Sequence, residues 1–97
     1  TAGQVGFDEN GDLVEGGIGP QTRRALDNLG ACLAAAGCGF EDVLKVNAYL
    51  ADLGEFDGYN AVYREYFAEP YPVRTTVGVS LPGGILVEIE AVARVRA

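Results

Sequence analysis

Pro72–Glu90, PVRTTVGVSLPGGILVEIE, decides how the rest of the chain is read. Two runs with period-two alternation flank Leu81-Pro82-Gly83-Gly84, a turn signal, so the stretch predicts a β-hairpin. Val73, Thr75, Val77 and Val79 fall on one face of the first run, with Arg74, Thr76 and Gly78 on the other. Ile85, Val87 and Ile89 continue the apolar face on the second run, leaving Leu86, Glu88 and Glu90 opposite. A register centred on the turn sets Thr76 against Glu88 and Arg74 against Glu90, with Arg74 and Glu88 on a diagonal. One sheet face would then carry a guanidinium, a hydroxyl and two carboxylates.

The 97 residues suffice for one domain, Thr1–Ala97, whose small core would gain from association with other copies. Hydrophobic residues make up 48 % of the chain, which excludes disorder. Fourteen acidic residues against seven basic ones give a net charge of −7, and Lys45 is the single lysine. Such a chain repels a phosphate backbone, so no nucleic-acid partner is expected. The sequence lacks His, and its two cysteines, Cys32 and Cys38, form no CxxC, so no metal site or disulfide framework is indicated. No signal peptide or membrane-spanning run is recognisable. The expectation is a soluble cytoplasmic protein without a membrane partner.

Thr1–Phe7 reads as a strand already under way, whose Gly3 and Gly6 suggest close backbone approach. Asn10-Gly11 suits a tight turn into a short return strand at Asp12–Val14. From Pro20 to Ala36 the apolar positions Ala25, Leu26, Leu29, Cys32, Leu33 and Ala36 fall at helical spacing, with Gly37 as terminator. Val43–Leu50 is a strand: Leu44, Val46, Ala48 and Leu50 face the core, and Lys45, Asn47 and Tyr49 face away. Asp52 and Glu55 resemble a capping box for a helix over 55–68. Its stripe is Phe56, Tyr59, Tyr63, Tyr66 and Phe67, with Asn60 beside it; a buried amide there must tie down a loop or reach a site. The element order is β-β-α-β-α-β-β. It predicts an α+β fold, two helices on one face of a mainly antiparallel sheet, with association through the other face.

Without His, no Ser-His-Asp or Cys-His arrangement is available, and no phosphate loop is present. Arg74 with Glu88 is the remaining resource. Arg grips a carboxylate through paired hydrogen bonds, and Glu activates water. The same pair could equally be a cross-strand staple.

The joint pattern favours the first reading. PVRTT…LP…VEIEAVA closely resembles the late signature of the reactive-intermediate deaminase family (RidA, or YjgF-like). Ala2-Gly3-Gln4, Gln21-Thr22-Arg23 to Asn28, Asp42-Val43 to Leu50 and Phe56–Phe67 match further family segments, so the resemblance spans the chain. It implies a chorismate-mutase-like homotrimer with clefts between subunits. Such proteins hydrolyse reactive 2-enamine or 2-imino acids, such as 2-aminoacrylate, to 2-keto acids and ammonia without a cofactor. Carried over, Arg74 would hold the substrate carboxylate, and Glu88 would position water and transfer protons. Asn60, Thr76, Gly3 and Ala2 would frame the substrate. Three departures stand out. The family's usual first strands, with an aromatic cleft residue, precede Thr1; Ala2 replaces a serine; and Val79–Pro82 is a residue shorter than in many members. A trimeric protein that binds small carboxylates without turnover is the alternative.

Overall fold

The computed structural model describes residues 1–96, folded as α1 (Ile18–Ala35), β1 (Val43–Leu50), α2 (Phe56–Tyr66), β2 (Val73–Gly78) and β3 (Val87–Ala93). The sheet order is β2-β1-β3. Both helices lie on one face of this sheet, as the apolar spacing predicts. Leu26, Leu29, Val46, Leu50, Tyr59, Val87 and Ile89 are fully buried between the layers. Each contributes roughly 1.5–3 kcal/mol of burial.

α1 buries Gln21, Thr22, Ala25, Leu26, Leu29 and Leu33, one stripe at three- and four-residue spacing. It stops where predicted. Gly37 takes φ 75°, and the N–H groups of Gly37 and Cys38 bond back to Ala34 and Leu33 carbonyls, a Schellman closure. α2 begins at Phe56, after a short 3₁₀ turn over Leu53–Glu55 that Asp52 caps by accepting from the Gly54 N–H at 2.8 Å. Tyr59, Tyr63 and Phe67 are buried as expected, and Phe56 and Tyr66 pack against them.

The hairpin does not form. β1 lies between the two runs, parallel to β2 and antiparallel to β3, so the sheet is mixed. Pro82, Gly83 and Gly84 do make a turn, with Gly83 at φ 47° and Gly84 at φ 79°. The connection over 79–86 is longer than a tight hairpin loop, though, and it straddles the end of β1. Val79 N–H reaches the Leu50 carbonyl at 2.9 Å, and Ala51 N–H reaches the Leu86 carbonyl at 3.0 Å. Thr76 therefore faces Ala48 rather than Glu88, and Arg74 faces Val46 rather than Glu90.

Faces change accordingly. On β2 it is Arg74 and Thr76 that point toward the helices, while Val73 and Val77 lie on the open face, 67 % and 39 % exposed. Leu44 was expected inside but is 54 % exposed, because an irregularity between Val43 and Lys45 shifts the β1–β3 register. β3 keeps the expected alternation, with Val87, Ile89 and Ala91 inside.

The two N-terminal strands reduce to isolated bridges, Gln4 with Ile89 and Phe7 with Leu13. Gln4 exchanges both backbone hydrogen bonds with Ile89, at 2.8 and 2.9 Å, which lines the outer edge of β3. The close approaches expected of Gly3 and Gly6 are present. A Cβ on Gly6 would stand 3.1 Å from the backbone of Gln21, and Gly3 lies against Glu88.

Candidate active site

Arg74 leaves β2 on the helix side and meets the aromatic stripe of α2. Its guanidinium carbon stands 4.4 Å from the Tyr63 ring centroid, 5.5 Å from Phe56 and 5.6 Å from Tyr59. Ring faces attract the cation and hold it where the core ends. Asn60, one turn before Arg64 on α2, accepts from Arg74 Nη1 at 2.8 Å. The amide beside the stripe thus ties the guanidinium down. No carboxylate pairs with Arg74 among the described residues, so its remaining N–H donors are free for an anion. They border an open cleft of about 480 Å3 lined by Asn60, Tyr63, Arg64, Tyr71, Pro72 and Arg74.

Thr76 follows Arg74 on the same face, its Oγ1 3.2 Å from the Tyr59 hydroxyl. Tyr63 is 5 % exposed, and its hydroxyl has no hydrogen-bond partner. Burial pushes that phenol up to about 12, against the opposing pull of Arg74.

Glu88 sits elsewhere. On β3 it lies across from Tyr49, and Glu90 across from Asn47, all on the open face. Tyr49 donates to Glu90 Oε1 at 2.9 Å, and that hydrogen bond, with burial, raises the Tyr49 phenol above its ordinary value. Glu88 runs beside the N-terminal segment: a Cβ on Gly3 would fall 2.7 Å from its Cδ. Ala2 and Gly3 accompany Glu88, whereas Asn60 and Thr76 accompany Arg74. The expectation that Arg74 and Glu88 share one sheet face is thereby corrected. They occupy opposite faces of opposite outer strands, with β1 between them, and Glu88 shares a row with Val77 rather than with Arg74.

Each side chain is positioned by its own strand, and within one chain the two groups stand apart. The one is a cation on an aromatic platform; the other is an acid beside backbone.

Comparison with known proteins gives this division a context. Residues 1–95 match the family model described as Endoribonuclease L-PSP. A 2-iminobutanoate/2-iminopropanoate deaminase of Homo sapiens is 44 % identical over 94 residues, covering 95 % of this chain and 69 % of the human protein. The chain belongs to the RidA (YjgF-like) family. A RutC family protein of Pyrococcus horikoshii is 49 % identical over 94 residues, covering 95 % of this chain and 75 % of its own length. The crystal structure of RidA from the Antarctic bacterium Psychrobacter sp. PAMC 21119 superposes with a TM-score of 0.87 at 42 % identity, across 93 % of this chain and 74 % of that one.

Within this RidA-family chain, sequence reasoning missed the ring platform, because Phe56, Tyr59 and Tyr63 serve the core and Arg74 at once. It also missed Arg64, Tyr71 and Pro72 as cleft walls. Helical spacing carried part of that signal, since positions 60, 63 and 64 lie on one flank of a helix.

Proposed function

We propose that this protein is a hydrolytic deaminase of 2-enamine and 2-imino acids, working in a ring of identical subunits whose clefts join the Arg74 half-site of one copy to the Glu88 half-site of the next. One observation carries this reading: Arg74, fixed by Asn60 and three rings, has no carboxylate partner among the described residues of a chain rich in acids. An isolated guanidinium of this kind suits a substrate carboxylate. The names of the relatives support the imine chemistry. Among the described residues no helix is long and apolar enough to cross a membrane. Both cysteines are free thiols, in keeping with a reducing cytoplasmic setting.

The chemistry is redox-neutral and consumes only water. Arg74 takes the substrate carboxylate, and Asn60 keeps the fork aimed. Glu88 of the neighbouring copy removes a proton from water as oxygen bonds to the imine carbon, and the C=N π pair moves to nitrogen. Nitrogen takes that proton from Glu88 to give the carbinolamine. Glu88 then carries the hydroxyl proton to nitrogen as the oxygen pair forms the C=O bond and the C–N bond breaks. A 2-keto acid and ammonia leave. No cofactor is called for, since every electron pair stays with substrate or water. The −7 net charge works against RNA as a substrate.

Release of 2-oxobutanoate from 2-iminobutanoate generated in situ tests the reading. Wild-type protein should accelerate release. Arg74→Ala should lower kcat/KM by about 30-fold or more, the scale of a lost charged hydrogen-bonded pair. Glu88→Gln should lower kcat with KM little changed. Parental rates in both variants would sink the assignment, and keto-acid binding that depends on Arg74 without any turnover would select a carboxylate-binding protein instead.

A further inference from the structure

The cleft beside Arg74 holds a second cation. Arg64 projects from α2 one turn beyond Asn60, on the same flank of the helix, and lines the same space. Elsewhere among the described residues three of the other basic side chains are paired, while Lys45 and Arg94 are not. Arg23 pairs with Glu65 at 3.0 Å, Arg24 with Glu9 at 3.6 Å, and Arg96 with Asp42 at 3.0 Å. Glu65, next to Arg64 in sequence, is therefore already engaged by Arg23. Neither Arg64 nor Arg74 pairs with a carboxylate among the described residues. Two unneutralised guanidiniums facing one cleft give it a positive field, and a substrate with a single carboxylate answers only one of them. Tyr71, 56 % exposed and set between Pro70 and Pro72, adds an amphipathic wall whose backbone is restricted on both sides.

We infer that Arg64 is a specificity-determining residue that selects 2-imino acids bearing a second carboxylate, the products of oxidising or dehydrating dicarboxylic amino acids. Arg74 holds the α-carboxylate and Arg64 the side-chain carboxylate. This rests on the reading of Arg74 as the substrate anchor. Asn60, which holds Arg74, lies one helical turn before Arg64 on α2, so both cations reach the same cleft.

Binding and turnover are measured separately on the full chain. 2-Oxobutanoate and 2-oxoglutarate serve as unreactive binding probes in calorimetry, and the imines of alanine and glutamate, generated in situ, as substrates. Wild-type protein should bind 2-oxoglutarate more tightly, and Arg64→Gln should erase that preference, a change of about two- to fivefold for an exposed charged pair, lowering 2-oxoglutarate affinity more than 2-oxobutanoate affinity. Arg64→Lys should retain most of the preference, and added salt should erode it in the wild type. A ratio of diacid to monoacid affinity that is blind to Arg64, or equal affinities in the wild type, overturns the assignment even if both imines are hydrolysed. Loss of all turnover with the Arg64-dependent affinity ratio intact would instead sink the deaminase reading and leave the subsite standing.

Discussion

Gly3 lacks the side chain that Glu88 would otherwise strike. A methyl group there would lie 2.7 Å from Glu88 Cδ and 2.9 Å from its Cγ, closer than carbon atoms tolerate. Because the obstructing atoms end a flexible side chain, the carboxylate yields rather than the backbone. Gly3→Ala should therefore leave the melting temperature within a few degrees of wild type and, on the proposed role of Glu88, lower kcat for imine hydrolysis by about tenfold. Steady-state rates beside a thermal melt check this. Glu88 was legible in the sequence as an acid on a polar strand face, and Gly3 as a point of close approach. Their meeting was not, because a single backbone bridge between Gln4 and Ile89 brings them together. No local pattern encodes a bridge of that kind.

Among the elements, α2 carries the most. Its stripe was read from spacing alone as core, and Tyr59, Tyr63 and Phe67 are buried. Tyr63 also stacks on Phe67, with centroids 4.5 Å apart, and offers its other surroundings to Arg74. The hydroxyl of Tyr63 remains without a partner. Tyr63→Phe should thus be neutral or stabilising by about 1 kcal/mol, since the variant no longer desolvates an unpaired hydroxyl. The same phenol makes stability depend on alkaline pH. Its folded value of about 12 lies above the unfolded value of ~10. Below pH ~10 both states keep the proton and the contribution is complete. Between ~10 and about 12 the unfolded chain releases its proton first, so stability falls as pH rises. Urea unfolding across that range should show a shallower decline in Tyr63→Phe than in wild type; an identical slope would refute the account of this side chain.

β2 shows where local reading stops. Alternation grouped Arg74 with Thr76, and they do share a face. It could not say which strand would lie beside them, because period two is the same whichever neighbour pairs. The turn at Pro82–Gly84 was real, yet β1 entered between the runs. The hydrophobicity of Val73 and Val77 then misled the assignment of faces, since they occupy the open side of an outer strand. β1 and α1 were legible nearly to their ends because period, terminator and burial agreed there.

At the scale of the whole molecule, the open sheet face is arranged in rows. Val73, Lys45 and Val92 lie side by side, then Thr75, Asn47 and Glu90, then Val77, Tyr49 and Glu88. Val73 and Val92 are 67 % and 57 % exposed, an apolar margin that further copies would cover. Arg74 and Glu88 sit on opposite faces and opposite sides of the sheet, so the proposed site requires them to meet between chains. Head-to-tail contacts of the proposed kind give a ring when the rotation closes, and the family resemblance implies a ring of three.

Mixing two impaired variants tests that central claim most directly. Arg74→Ala retains Glu88, and Glu88→Gln retains Arg74; each alone should keep only a small residue of activity. Unfolded together in equal amounts, refolded and confirmed by sedimentation to share assemblies, they should regain imine hydrolysis at about a quarter of wild-type sites, the product of two independent halves. Mixed assemblies no more active than their parents would contradict a site shared between copies.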